Sequence, residues 1–213
     1  MPENISFETA SAVLLQGLTA HYLATESHQT KKDETVLIHA SAGGVGQLLT
    51  QICKLLGAKV IGLTSSEIKK EFSESHGADQ VFLYGENWKS KILEYYPNGV
   101  DVVFDSVGST LQESFEVTKA RGQVVFYGMS GGDPEFVNPR MLMDTSKTLT
   151  GGDLWSYLTS KEERIKRATQ LFEWVTSKKI SVSEPTKFKL SEGKQAHDFL
   201  EGRKSTGKII LIP

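Results

Sequence analysis

The chain has 213 residues, a formal net charge of −2, and an ordinary share of apolar (38%) and charged (23%) side chains. This length suits one α/β domain with a supplementary segment, and the charge argues against general attraction to nucleic acid or to an anionic membrane surface. The single cysteine, Cys53, excludes an internal disulfide and a four-cysteine zinc site, and no apolar run reaches the length of a membrane helix.

Met1-Pro2-Glu3-Asn4 opens without a basic region or an apolar core, so no secretory signal is read, and a reducing, cytoplasmic setting is expected. Ser6 caps a first helix that runs through Ala12, Val13, Leu15 and Gly17-Leu18-Thr19-Ala20 towards Ala24. The polar residues 26–33 read as a surface connection. Residues 36–40 are short, apolar and β-branched, which predicts a buried strand. Small residues follow as far as Gly46, and then Leu48, Leu49, Ile52, Leu55 and Leu56 recur at helical spacing up to a C-cap at Gly57. Cys53 reads as a small core or helix-surface residue of this helix.

Residues 59–64 predict a second strand, with Ser65 or Ser66 capping a helix that runs to His76. Strands are predicted at 80–84, 100–105, 122–128 and 149–154, and helices at 88–95 and 111–118. Residues 162–178 form an amphipathic helix with Ile165, Ala168, Phe172 and Val175 on one face. The last stretch holds a short strand near Val182, a helix at 191–201 and a strand at 208–212.

Alternating strands and helices with short connections predict an α/β fold, a Rossmann-type doubly wound parallel sheet of six strands. Ligands of such sheets lie beyond the carboxyl ends of the strands. Those ends are residues 42–46, 64–66, 84, 105–108 and 127–130, a short list rich in glycine and hydroxyl groups. The turn at 41–46 leaves the first N–H groups of a helix unpaired, at the positive end of its dipole, and so suits a phosphate. Gly43 and Gly46 match the second and third glycines of the dinucleotide fingerprint, with Ser41 in place of the first. Such a turn also occurs in sheets that bind nothing.

Four segments carry a resemblance. They are Ala40-Ser41-Ala42-Gly43-Gly44-Val45-Gly46, Ala58-Lys59-Val60-Ile61-Gly62, Val102-Val103-Phe104-Asp105-Ser106-Val107-Gly108, and Gly207-Lys208-Ile209-Ile210-Leu211-Ile212-Pro213. In this order the chain resembles the zinc-free quinone oxidoreductase branch of the medium-chain dehydrogenase/reductase superfamily. The resemblance implies hydride transfer from NADPH to a quinone or an activated enone, and a homodimer formed through the edge strand at 149–154. It further implies a cofactor domain at 1–178, a segment at 179–213 that returns to the catalytic domain, and an N-terminal catalytic domain ahead of residue 1. Phe188, Leu190, Phe199, Leu200 and residues 209–212 are then expected to pack on the cofactor domain, exchange with a neighbour or stay mobile. A second reading of a different class is a nucleotide-binding, dimer-forming module without turnover.

The second strand ends on Thr64, Ser65 and Ser66, where an NAD-binding site places a carboxylate, and Lys69 follows one turn later. Hydroxyl groups and a lysine suit a 2′-phosphate. The resemblance places Lys69, Tyr84 and Arg203 at that end of NADPH, although Glu67 and Glu71 lie nearby. The pyrophosphate is expected at Gly43, Gly44, Val45 and Gly46, with Ser65 among the hydroxyl groups at the 2′-phosphate. The nicotinamide half is expected over Ser106, Val107, Gly128 and Ser130, with Thr19 at its ribose or amide. Ser106 and Ser130 lack the Gly-x-Ser-x-Gly setting of a nucleophile, and Asp105 reads as an acceptor for loop N–H groups. No metal site is expected. Gln16 stands where zinc-dependent relatives place a cysteine ligand, and His21, His28, His39, His76 and His197 are scattered.

Overall fold

A computed structural model describes residues 1–202 and 205–213. Strands β1 (Thr35–Ile38), β2 (Lys59–Thr64), β3 (Gln80–Leu83), β4 (Val100–Asp105), β5 (Thr118–Phe126) and β6 (Thr148–Gly151) form one sheet in the order β3-β2-β1-β4-β5-β6. Every neighbouring pair is parallel. The six-stranded doubly wound sheet read from the alternation is therefore present. Its order reverses between β1 and β4, which opens the crevice between their carboxyl ends.

All four residues of β1 are buried, as expected of a strand covered on both faces. The pleat separates two cores. Val36, Ile38, Val60, Val102, Phe104 and Val125 join one, with α1 (Phe7–Tyr22), α2 (Gly44–Leu55) and a later helix, Lys161–Thr176. Leu37, Ile61, Leu63, Val103 and Val124 join the other, with α4 (Trp88–Tyr95) and α5 (Leu111–Val117). The remaining helix on this side of the chain order, α3 (Glu67–Ser75), follows β2. Ser6 caps α1 through a bond from the Thr9 N–H at 3.0 Å. Cys53 is fully buried, and burial pushes its thiol up to about 12.

Several elements differ from the sequence reading. The connection after α1 is no loose surface stretch, because a π-helical turn, Leu23–Ser27, prolongs the helix. Gln123 pins it, donating to the Ser27 carbonyl at 2.8 Å and bonding His28 Nδ1 at 2.7 Å, and Arg167 pairs with Glu26. The sixth strand stops at Gly151. Asp153 then caps a short helix, α7 (Leu154–Tyr157), that buries Leu154. Pro139–Thr145 forms α6, capped by Asn138. In α8 (Lys161–Thr176) the inward face centres on Arg167, Leu171 and Phe172, and Ile165 is exposed.

No strand forms at Val182. The tail strand is β7 (Thr186–Lys189), followed by a 3-10 turn (Leu190–Glu192) and α9 (Gly193–Glu201). It pairs in parallel with β8 (Ile209–Ile212), making a small β-α-β unit. This unit folds back on the main body. Ser181 and Ser183 bond Gln51 and Gln47, one turn apart on α2, at 2.7 and 3.2 Å. Lys187 pairs with Glu8 at 3.0 Å. Ile180 and Val182 pack into the core on the α1 and α2 side.

Candidate functional site

The glycine turn sits at the carboxyl end of β1. Gly43 is the N-cap of α2 and no side chain caps that helix, so its first N–H groups face outward. Gly46 backs onto the preceding turn. A Cβ there would run into the Ala40 carbonyl and lie 2.7 Å from Ser41 Cα. Ser41 is fully buried where the fingerprint has its first glycine, and Gly62 in β2 supplies the missing space. A Cβ on Gly62 would strike the Ser41 hydroxyl. Ser73 donates to Ser41 Oγ at 2.8 Å, so the hydroxyl is also satisfied.

Ala40, just before this turn, has φ 49°, a left-handed conformation uncommon for alanine. A buried chain of polar groups holds it. Asp105 Oδ1 accepts from the N–H groups of Val107 and Gly108 at 2.8 and 3.1 Å, and Oδ2 accepts from the Thr110 and Ser114 hydroxyls at 2.8 and 2.7 Å. Burial pushes its carboxyl up, but attraction to His39 whenever that ring is protonated, together with the Ser114 and two backbone donors, outweighs burial and leaves it below the usual range. Burial lowers the His39 imidazole, which is therefore neutral. Since Ser114 gives its only proton to Asp105, it must accept from His39 Nε2 at 3.0 Å. His39 Nδ1 then accepts from the Tyr84 hydroxyl at 3.1 Å, and Tyr84 Oη accepts the Ala40 N–H at 2.9 Å. One chain of hydrogen bonds thus joins β4 to the glycine turn through the ends of β1 and β3. Asp105 is the acceptor for loop N–H groups that the sequence reading expected.

Gly43, Gly44, Ser65, Lys69, Tyr84, Val107 and Ser130 line one cleft of about 550 Å³ at the strand ends. Gln16, Ala40, Ser109, Thr110, Gly131, Leu200, Ser205 and Gly207 complete it. Thr19 and Val45 line a neighbouring hollow of about 380 Å³ with Tyr22, Tyr127, Asp153 and Trp155, and Gln16 faces both spaces. Thr19 Oγ1 donates to its own helix at the Leu15 carbonyl, 2.8 Å away. Gly128 lies in a third hollow with Tyr127, Met129 and Tyr157. Ser106 lines none of the three, and its carbonyl accepts from Ser130 N and Oγ, both at 3.1 Å. Gly46 is packed beneath the turn, as described. Arg203 lies outside the described residues.

Most of the added lining has a sequence signal. Ser109 and Thr110 directly follow Asp105-Ser106-Val107-Gly108, and Gly131 follows Ser130. Ser205 and Gly207 belong to the Gly-Arg-Lys-Ser-Thr-Gly run at 202–207. Leu200 had no signal, because only the returning tail brings it here, with the Gly207 N–H reaching the Ala42 carbonyl at 3.4 Å. Two buried side-chain oxygens at the cleft, Thr64 Oγ1 and Gln16 Oε1, have no partner. The uncapped helix start and the unpartnered Thr64 hydroxyl fit the phosphates of a dinucleotide, and the unpartnered Gln16 oxygen calls for a donor such as a sugar hydroxyl.

Residues 44–174 match the family model of the zinc-binding dehydrogenases. Quinone oxidoreductase 1 of Escherichia coli (strain K12) is 38% identical over the whole chain, which spans 67% of that relative. The chain belongs to the medium-chain dehydrogenase/reductase superfamily, in its quinone oxidoreductase branch. Two solved structures of relatives superpose over all of it. The E. coli quinone oxidoreductase complexed with NADPH does so at 37% identity and a TM-score of 0.94, over 67% of its length. A mycobacterial protein complexed with NADPH does so at 36% identity and a TM-score of 0.95, also over 67%. Among the described residues no three His, Cys, Asp or Glu side chains converge, and the only cysteine is buried within α2. No helix among the described residues is long and apolar enough to cross a membrane.

Proposed function

We propose that this chain binds NADPH across the glycine turn and serves an NADPH-dependent quinone, or activated enone, oxidoreductase that works without zinc. One observation carries this reading: Gly43, Gly44, Ser65, Lys69, Tyr84, Val107 and Ser130 converge on one cleft at the switch point of the sheet. The NADPH-bound relatives support it. The outward N–H groups of α2 take the pyrophosphate. Lys69, beside Ser65 and Thr64, meets the 2′-phosphate, and the absence of a carboxylate at the end of β2 removes the repulsion that would favour NADH. Arg203 belongs to the same end on the strength of the resemblance. Val107, Gly128 and Ser130, with Ser106 behind them and Thr19 opposite, bound the nicotinamide half. When bound, NADPH supplies a hydride, and the protein orients the ring and admits an electrophile.

Tyr84 acts here chiefly by holding the Ala40 turn, since its hydroxyl points to His39 and to the Ala40 N–H. We further propose the division at residue 178, with Ile180 and Val182 as the stitch between the parts. The test is NADPH absorbance at 340 nm with and without 1,4-benzoquinone. The reading expects oxidation that depends on the quinone, gives NADP⁺ and hydroquinone in equal amounts, and survives dialysis against a chelator. Tight NADPH binding with no quinone-dependent oxidation would instead support a binding module without turnover.

A further inference from the structure

Gln16 stands at the junction of the two principal hollows. It projects from α1 across the first turn of α2, so close that a Cβ on Gly44 would overlap its amide. It lines both the strand-end cleft and the hollow built on Thr19, Val45 and Tyr127. Its Oε1 is buried and has no partner. A buried amide oxygen without a donor is costly, so a residue that keeps one points to a ligand that supplies the donor.

The required donor narrows the ligand. A dinucleotide held at Lys69 by its 2′-phosphate and at α2 by its pyrophosphate next presents the nicotinamide ribose. Pyrophosphate oxygens only accept, whereas ribose hydroxyls donate. We infer that Gln16 is a positioning residue for the nicotinamide half of the cofactor: its Oε1 accepts a hydroxyl of that ribose while Nε2 faces the pyrophosphate. An amide is suited to this junction, because one flat group offers an acceptor to the sugar and a donor to the phosphate. The inference rests on the cofactor reading above and goes beyond it by assigning the contact that links the phosphate site to the nicotinamide site. Gly44 serves the same arrangement, since any side chain there would displace the Gln16 amide.

Adenosine 2′,5′-bisphosphate separates this role from a structural one, because it keeps the 2′-phosphate and adenosine but lacks the nicotinamide riboside. Titrate NADPH and the bisphosphate into the unaltered chain, Gln16→Met and Gln16→Leu. Both variants are expected to bind NADPH about tenfold or more weakly and the bisphosphate within about twofold of the unaltered chain. NADPH affinity unchanged in both variants overturns the inference. Loss of both ligands together also overturns it, by showing that Gln16 supports the turn rather than the ribose. If the unaltered chain binds no NADPH, the cofactor reading itself falls and takes this inference with it. Binding that the variants leave unaffected removes the inference alone.

Discussion

His39 is fully buried between Tyr84 and Ser114, with the Asp105 carboxylate 3.9 Å from Nε2. Burial lowers its pKa, so between the folded value and about 6.5 the unfolded chain binds a proton that the native chain refuses. Stability is therefore complete above pH ~6.5 and falls as the pH drops below it, by up to ~1.4 kcal/mol per unit per group. His21, also lowered by burial, adds to the same window. Asp105 acts in a separate window, because its depressed carboxyl adds stability above about pH 4 that is lost on further acidification. Urea midpoints are expected to fall between pH 7.5 and 5.5, and less steeply in His39→Gln. An identical slope in that variant would mean that His39 is not the buried neutral group described. The strand-end position of Tyr84 was legible from the sequence. Its inward hydroxyl was not, because both partners, His39 and the Ala40 N–H, come from the turn after β1, more than forty positions earlier.

Among elements, the contact of α1 with α8 depends on Gly17. A Cβ at Gly17 would lie 2.6 Å from Leu171 Cδ2, and Leu171 is fully buried. Gly17→Ala gains about 1 kcal/mol of helix propensity but forces Leu171 off its site, an overpacking of about 1–3 kcal/mol. The single substitution is expected to destabilise by about 1 kcal/mol. In a Leu171→Ala background the same change is expected to be neutral or stabilising, a coupling that a double-mutant cycle by urea denaturation reads directly. Additive effects would contradict this packing. The strands and helices with strong period or caps were legible: β2, β4 and α4 fall where the pattern places them. The π-helical turn was not, since Gln123 and Arg167 fix it from distant positions. Nor was β7, because Thr186–Lys189 is polar and becomes a strand only by pairing with β8.

At the scale of the whole molecule, β6 ends the sheet and pairs on one side only, with β5. Lys147 just before it does not guard the edge, since its Nζ turns inward to the Phe115 carbonyl at 2.6 Å. An open edge without proline or an outward lysine pairs readily with a copy of itself about a twofold axis. The expected state is a homodimer by light scattering at micromolar concentration, shifted towards monomer by Leu149→Lys. A monomeric unaltered chain would contradict the edge argument, and a dimer indifferent to that substitution would place the interface elsewhere. The sequence left the path of the tail open. The structure sets Gly207 against the glycine turn, so the tail walls the cleft that the first half of the chain builds.

Nucleotide choice tests the central claim, that the strand-end cleft is an NADPH site. Calorimetric titration of the 213-residue chain with NADPH and with NADH measures it. A charge-assisted contact between Lys69 and the 2′-phosphate is worth about 1.5–3 kcal/mol, which predicts NADPH binding at least about tenfold tighter, one molecule per chain. Lys69→Ala is expected to remove most of that preference while leaving NADH affinity nearly unchanged. Equal affinities for the two nucleotides, or a preference that Lys69→Ala does not move, would contradict the account.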